Sequence, residues 1–388
     1  MGTRIGTVVI GFLRTTTVAL TTNAIAASLL LVIPGCDHKG SHETATDASA
    51  DLCASGCEIV TTHLVTVNDS AQPGMLPTRS FYVERDKQER LFAAASTLDQ
   101  VLVFGKDGQF LRGLGRSGAG PGEYRRTAYP LVGPGDTLFI HDYFLRRMTV
   151  VSPDLEIVRI VPDVAYPPDL VLEGGSFVLA RQIPTPQQIG YPIHVMGPDG
   201  SLLRSFGTDI PEHRPDIRFL TTRIVGPGTG DTIWAAAPGR YVMERWDAAT
   251  GQRLERVNVA SSWFVGADGP EEPSEMPRGI LLALFEDEQE RIWVLLRDGD
   301  PGWKPPSMES MHLEQPVTAE SYDERYDFVV EVVDPHSARV LASRRFDDAL
   351  WLDQRSRLVT TLRPLEDTTT FVTFDIWKLH LQPKRSEQ

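Results

Sequence analysis

The segment Leu91-Phe-Ala-Ala-Ala-Ser96 is the first copy of a pattern that decides the fold. In each copy a Gly, Pro or acidic turn precedes a strand that opens with two or three bulky apolar residues. Five more copies follow, at Leu138–Tyr143, Phe177–Gln182, Ile233–Pro238, Ile292–Arg297 and Phe371–Ile376. A repeat unit of this size cannot bury its apolar faces alone, so the copies are expected to pack side by side.

Most copies are followed by two further strand-like runs joined by a turn. After the first copy, Val101-Leu-Val-Phe104 leads through Gly105-Lys-Asp-Gly108 into Gln109-Phe-Leu-Arg112. Two runs of strand formers around an Asp/Gly turn indicate a β-hairpin. Each repeat therefore predicts a small antiparallel sheet.

The two ends of the repeat region complement each other. The sixth copy continues into a third strand, Trp377–Gln382, and lacks a fourth, whereas the strand-like run Glu58–Val67 precedes the first copy without a partner. Pairing these two runs would close a ring and leave no strand edge open. The sequence thus predicts an all-β, six-bladed β-propeller with four-stranded blades, closed by the N-terminal strand.

The competing architecture is a β-sandwich, which also alternates strands and turns. A sandwich does not require sixfold recurrence, and about 330 residues would be large for one. The only stretch that suggests a helix is a short one around Arg278–Glu286.

The composition suits a globular chain, with 41% hydrophobic and 23% charged residues and a net charge of −14. An acidic balance argues against nucleic acid as a partner, because phosphate binding needs basic patches. It permits cationic partners, although it is also what a solvated surface would show.

The N-terminal region is predicted to direct export. Residues 1–35 contain Arg4 and Arg14, no acidic residue and a ten-residue apolar stretch, which is the plan of a signal peptide. The segment ends in Gly35-Cys36, which resembles a bacterial lipobox and predicts lipidation of Cys36. The alternatives are an ordinary cleaved signal peptide and an uncleaved anchor. We therefore divide the chain into a signal peptide (1–35), a lipidated and flexible tether (36–57) and the propeller (58–388).

The remaining cysteines, Cys53 and Cys57, are predicted to form a disulfide, since an exported protein meets an oxidising compartment. The closed loop is short, so its stabilisation is expected to be only about 2 kcal/mol. Two cysteines without further ligands make a poor zinc site. No metal site, cofactor or catalytic residue is predicted.

The segment Gly115-Arg-Ser-Gly-Ala-Gly-Pro-Gly-Glu-Tyr124, which follows the first hairpin, resembles the NHL-repeat family of six-bladed β-propellers. In that family a hairpin ends in a Gly-Pro-Gly-aromatic loop that leads to the next blade. The resemblance is sharpest over about 25 residues and extends to six-bladed propeller lipoproteins of bacteria. It implies the fold much more than an activity.

Two motifs carry competing interpretations. The run Gly118–Gly122 would suit a phosphate, but it lacks the Lys-Ser/Thr of a phosphate loop, which favours a structural turn. Asp142, with Arg146 or Arg147, resembles the Asp/Arg pairs that tie strands together in this family, so a structural ion pair is expected. Trp234, Trp246, Trp293 and Trp377 lie in strand patterns and are expected in the core.

Long insertions point to the working surface. In a propeller, the loops between second and third strands share one face, here called the connection face, with the loops that join blades. The insertions 260–277 and 298–327 and the loop 116–129 should lie there, and long loops on a rigid scaffold often carry function. The predicted binding residues are Arg116, Glu123, Arg125, Trp263 and Trp303.

The predicted function is a lipid-anchored binding or scaffolding module for a protein or small ligand in the cell envelope. The alternative is a propeller enzyme of the lactonase, dehydrogenase or lyase type, with a metal or cofactor at the channel mouth. Neither prediction identifies the ligand.

Overall fold

The computed structural model describes Cys53 and residues 56–67, 76–77, 81–95, 98–125, 127–183, 190–208, 222–266, 275–304, 325–353, 357–364 and 371–384. All of them belong to the second of two units into which the chain divides, Asp47–Gln388. The predicted signal peptide and Cys36 lie outside the described residues.

The described chain is built from 27 strands. Strands β1 (Cys57–Val67) and β2 (Leu76–Pro77) precede blade 1, which contains β3 (Phe81–Arg85), β4 (Leu91–Ala95), β5 (Val101–Phe104) and β6 (Phe110–Leu114). A short parallel pair follows, β7 (Arg116–Ser117) and β8 (Glu123–Tyr124). Blade 2 contains β9 (Thr127–Val132), β10 (Leu138–Asp142), β11 (Arg147–Val151) and β12 (Ile157–Val161). Blade 3 contains β13 (Leu170–Val171), β14 (Phe177–Leu179), β15 (Ile193–Met196) and β16 (Leu202–Phe206).

Blade 4 contains β17 (Ile224–Pro227), β18 (Thr232–Ala236), β19 (Val242–Asp247) and β20 (Arg253–Asn258). Blade 5 contains β21 (Ile280–Glu286), β22 (Ile292–Gly299), β23 (Tyr326–Asp334) and β24 (Arg339–Phe346). Blade 6 contains β25 (Leu350–Leu352), β26 (Leu358–Pro364) and β27 (Phe371–Pro383). Pro134–Asp136 forms a single 3₁₀ turn, and no helix of the described residues is long and apolar enough to cross a membrane.

Each blade is an antiparallel sheet of four strands in chain order, and blade 6 takes its fourth strand from the N-terminal side. Strand β1 pairs with β27 from Cys57↔Pro383 to Val67↔Phe374, and β2 pairs with the start of β27. The predicted six-bladed propeller closed by Glu58–Val67 is therefore confirmed.

Two predictions of local structure are wrong. Phe371–Ile376 is not the second strand of blade 6, because it forms one 13-residue strand with Trp377–Gln382, and β26 takes the second place. An unusually long third strand therefore looks like two strands in sequence. The suggested helix at Arg278–Glu286 is strand β21; both of its faces are buried between blades, which removes the usual alternation of apolar and polar residues.

The core consists of apolar layers between neighbouring blades. Trp234, Trp246 and Trp293 are fully buried in them, as predicted, and Trp377 packs against the layer between blades 5 and 6. These layers fix the blades relative to one another and give the loops a rigid base.

The outer strand of every blade carries a β-bulge at the same register position. The unpaired bulge residue is always Leu or Val: Leu64, Leu111, Val158, Leu203, Leu254 and Leu341. Bulges bend a strand and increase its twist, which an outer propeller strand requires. Five of these side chains are 39 to 62% exposed. Isolated apolar residues on the rim therefore arise from the bulge that each blade repeats, and they do not by themselves indicate a binding surface.

Candidate functional site

The Gly-rich loop between blades 1 and 2 is closed by its own acidic side chain. Glu123 Oε2 accepts hydrogen bonds from the backbone N–H groups of Ala119 (3.1 Å) and Gly120 (2.8 Å). Its Oε1 accepts from the Arg116 guanidinium at 2.8 Å. The backbone N–H of Gly120 and the Arg116 guanidinium together lower the pKa of Glu123. Because a carboxylate of the chain occupies the amides that a phosphate would need, the loop is a structural turn.

Tyr124 fastens this loop to the core. The ring is 1% exposed and lies so close to Gly115 that a Cβ there would sit 2.3 Å from Cε2 of the ring. Gly115 also has a φ of +96°, which favours glycine. The Gly-aromatic spacing noted in the sequence is thus a packing requirement.

The predicted ion pair between Asp142 and Arg146 or Arg147 is wrong. Asp142 instead accepts from the backbone N–H groups of Arg125 (2.8 Å) and Leu145 (2.9 Å). Arg147 donates to the carbonyls of Ala119, Gly120 and Glu123, at 2.9, 2.7 and 2.5 Å. Both side chains recognise backbone atoms of the loop and the turn, which residue spacing alone could not reveal.

These bonds join the Gly-rich loop to the turn between the second and third strands of blade 2, at residues 143–146. Tyr143 and Phe144 lie in this turn, 52% and 56% exposed, with their rings edge to face at 5.8 Å. Sequence reasoning placed Tyr143 in a strand and missed Phe144. The available signal was an aromatic pair followed by two arginines between two buried strands.

We call the surface formed by Arg116, Arg125, Tyr143, Phe144 and Arg146 the aromatic platform. All five residues are exposed, and the Arg116 side chain is 78% exposed. The side chains of Asp142 and Arg147 are hydrogen-bonded to the backbone of the loop and the turn. The platform therefore presents two rings and three guanidinium groups on a backbone that is already fixed.

Trp263, in the connection between blades 4 and 5, lies away from this platform and is packed into the protein. Its Nε1–H donates to Glu331 Oε1 at 3.1 Å, and its ring contacts Phe264 and lies 5.6 Å from the Arg345 guanidinium. Trp263 was predicted as a binding residue in an exposed loop, but its ring packs against the core layer between blades 4 and 5.

Glu331 is the centre of that packing. It is 2% exposed and also accepts hydrogen bonds from Tyr241 and from Ser343 Oγ at 3.0 Å. Burial and the adjacent Glu331 charge raise the pKa of Tyr241 well above its usual value. The phenol therefore remains a donor at all physiological pH values.

An arginine bridges the loop ends of blade 5 beside Trp263. Arg345 donates to Asp298 Oδ2 and Asp327 Oδ2, both at 2.8 Å, and so joins the ends of β22, β23 and β24. The hydrogen bonds with Asp298 and Asp327 outweigh partial burial and raise the pKa of Arg345. The blade 5 insertion and the blade 4–5 connection meet here, which agrees with the predicted shared face.

Trp303 is half-buried at the start of the blade 5 insertion. Its backbone N–H donates to the Asp300 carbonyl at 2.9 Å, and among the described residues its indole makes no hydrogen bond. The structure thus leaves Trp303 as a binding candidate, separate from the aromatic platform.

The opposite mouth of the channel is acidic. Turns from all six blades line a cavity of about 680 Å³, and its carboxylates outnumber Arg85 and Lys87. Several of these acids already have partners: Asp86 pairs with Arg90 at 2.7 Å, and Glu286 accepts from Trp234 Nε1 at 2.7 Å. They connect turns and blades to one another. Across the described part of the chain, no three His, Cys, Asp or Glu side chains come together in a metal-binding group.

A polar seam runs along the inner strands of blades 1 to 3. The rings of Tyr82 and Tyr129 lie 4.3 Å apart, and burial together with their mutual hydrogen bond raises the pKa of Tyr82. His141 is fully buried, and its Nε2 lies 2.9 Å from the Val164 carbonyl. Burial lowers the pKa of His141 to about 4, so the ring is neutral at pH 7 and its Nε2 donates to that carbonyl.

Cys53 and Cys57 are joined by a disulfide at the entry to β1, with their Cα atoms 5.0 Å apart. The bridge stiffens the chain just before the strand that closes the ring.

No family model and no curated protein sequence matches the chain. Among solved structures, a member of the DUF4221 family from Bacteroides vulgatus ATCC 8482 superposes with a TM-score of 0.52 at 11% identity, over 84% of this chain and 99% of the other. A protein of Bacteroides fragilis NCTC 9343, named as a candidate exported protein, gives 0.52 at 10% identity, over 87% and 98%. A streptogramin B lyase gives 0.41 at 8% identity, over 84% and 98%. At these identities the likeness concerns the fold alone: the chain is a six-bladed β-propeller.

Proposed function

We propose that this chain is an exported, lipid-anchored propeller of the NHL-repeat type that binds a partner protein of the bacterial cell envelope through its connection face. The observation that carries the proposal is the aromatic platform. Two exposed rings stand beside three arginines on a backbone fixed by Asp142, Arg147 and Glu123. Tyr and Arg are the residues most enriched among those that dominate binding energy.

The rigidity of the platform favours binding. A surface that is already ordered loses little conformational entropy when a partner docks, so more of the contact energy appears as affinity. Here seven hydrogen bonds between the peptide backbone and the side chains of Glu123, Asp142 and Arg147 hold the turn and the loop. Glu123 is also paired with Arg116. The backbone beneath the platform therefore needs no further ordering when a partner docks.

The charge of the platform indicates the chemistry of the partner. Arg125 and Arg146 form a local basic group on a chain whose net charge is −14, beside Arg116, which is paired with Glu123 at 2.8 Å. Guanidinium groups pair with carboxylates in a bidentate geometry, and a local basic patch speeds the encounter with an acidic surface. The partner is therefore a protein that presents acidic side chains around an apolar centre.

The anchor and the repeat type rest on sequence. Gly35-Cys36 after an apolar stretch supports lipidation, and a polar segment beyond it supports a tether. The Gly-Pro-Gly-aromatic loop, whose Gly115 and Tyr124 depend on each other sterically, supports the NHL type. An anchored module on a tether would meet partners close to the membrane surface.

The test is capture of partners from intact cells by wild-type protein and by the double variant Tyr143→Ser/Phe144→Ser. Loss of two central aromatic contacts is expected to weaken capture at least 30-fold, since a dominant contact is worth about 2 kcal/mol or more. Leu203→Ser is the matched control, because Leu203 is equally exposed (56%) but lies on the rim of blade 3. Equal capture by all three proteins, with unchanged melting temperatures, would remove the platform as the binding surface.

A further inference from the structure

A second cavity lies between the blade 2–3 connection and blade 3. It has a volume of about 170 Å³, and its walls are mostly apolar, with Val164 and Tyr166 on one side and Phe177, Leu179 and Met196 on the other. Phe177 and Leu179 are buried core residues of β14, so this wall is rigid. We call this cavity the blade 3 pocket.

The size of the blade 3 pocket limits its occupant. An apolar cavity of about 150 Å³ in a protein holds one benzene molecule and stays dry when empty. The blade 3 pocket therefore has room for one aromatic ring or one short branched aliphatic group. Tyr166 offers an aromatic wall for such a ring.

The pocket is lined by a single acidic residue, Asp163, which is exposed. Within the described part of the chain, Asp163 makes no hydrogen bond or ion pair. The Arg181 guanidinium lies 5.7 Å from the Tyr166 ring, but it is already paired with Asp169 at 2.9 Å. Arg159, on the preceding strand, donates to the Pro198 carbonyl at 2.8 Å. The uncompensated charge at the pocket is thus negative.

We infer that the blade 3 pocket binds a small organic amine, with an apolar group inside the cavity and a protonated ammonium at the Asp163 carboxylate. The apolar walls supply affinity through burial, and Asp163 selects the cation over a neutral or anionic molecule of the same shape. This inference does not depend on the aromatic platform or on a partner protein.

The test compares phenethylamine with 3-phenylpropionate, an anion of similar shape, by titration calorimetry at low ionic strength. Wild-type protein is expected to bind the amine about fivefold more tightly than the acid, which corresponds to about 1 kcal/mol, the upper end of what one exposed ion pair supplies. Asp163→Asn should retain binding and bring the ratio close to one. Asp154→Asn, a neighbouring exposed acid outside the pocket lining, should leave the ratio unchanged.

A second variant tests the cavity itself. Ala165 also lines the pocket, and Ala165→Trp should fill it and abolish binding of both compounds. Melting curves show whether Ala165→Trp folds. If it does not, the selectivity of Asp163→Asn alone tests the inference. Equal affinity for amine and acid in the wild type, no binding of either compound, or unchanged selectivity in Asp163→Asn would overturn the inference.

Discussion

Replacing Trp263 with Phe separates a structural role from a binding role. The indole Nε1–H is one of three donors to the buried Glu331 carboxylate, and Phe keeps most of the ring while removing that donor. A hydrogen bond to a charged group contributes about 1.5–3 kcal/mol. Because Tyr241 and Ser343 still donate hydrogen bonds to Glu331, we expect Trp263→Phe to lower the free energy of unfolding by about 1.5 kcal/mol, near the lower end of that range.

The expected shift in melting temperature follows from chain size. A propeller of about 330 residues has an unfolding entropy near 0.7 kcal/mol/K, so the loss corresponds to about 2 °C. Calorimetry or urea unfolding would measure it. Trp303→Phe is the control, since among the described residues the Trp303 indole donates no hydrogen bond, and its melting temperature should stay within about 0.5 °C of wild type. An unchanged melting temperature in Trp263→Phe, or a clear loss of partner capture, would refute the structural assignment.

Four further outcomes are expected. Deleting residues 1–67 should cause misfolding and loss of soluble protein because it exposes the edge of β27, whereas deleting 1–52 should not; soluble yield measures the difference. Cys36→Ser should move the protein from the membrane to a soluble exported fraction, and an unmodified Cys36 in mass spectra would contradict the anchor. Trp303→Ala should weaken partner capture with little change in melting temperature. The pKa of His141 is about 4 in the folded protein and about 6.5 in the unfolded chain, so its contribution to stability is complete above pH 6.5 and is lost as the pH falls towards 4. Between pH 7 and pH 5 the free energy of unfolding of the wild type should therefore fall by about 2 kcal/mol more than that of His141→Gln, as measured by urea unfolding.

The fold could be predicted from sequence because its signal repeats. Apolar strand openings recur six times, and Glu58–Val67 is an unpaired run of the right length to complete blade 6. The assignment of the last copy is wrong because β27 is long enough to look like two strands: its first six residues, Phe371–Ile376, resemble a second strand, and Trp377–Gln382 resemble a third. The helix suggested near Arg278 failed for a related reason, since a strand buried on both faces loses its alternating pattern.

The candidate site was less predictable, because it depends on contacts between side chains and distant backbone. Asp142 and Arg147 were correctly judged structural, but their partners are amide and carbonyl groups of the neighbouring loop. Glu123 and Trp263 looked like free binding groups, yet one fills its own loop and the other packs on blade 5. Tyr143 looked like a strand residue and Phe144 was overlooked, although a turn exposes both rings.

The closing strand has a consequence for the order of folding. Thr66 and its partner Asp375 are separated by 309 positions along the chain, so blade 6 can be completed only after the whole intervening sequence is available. Closing so large a loop is entropically costly and places the step among the slowest kinds of strand pairing. Until then both ends of a nascent chain keep an open strand edge, which makes the incomplete ring a target for chaperones and proteases. An export machinery that threads unfolded chains would benefit from this delay, because a chain that cannot close early remains competent for translocation.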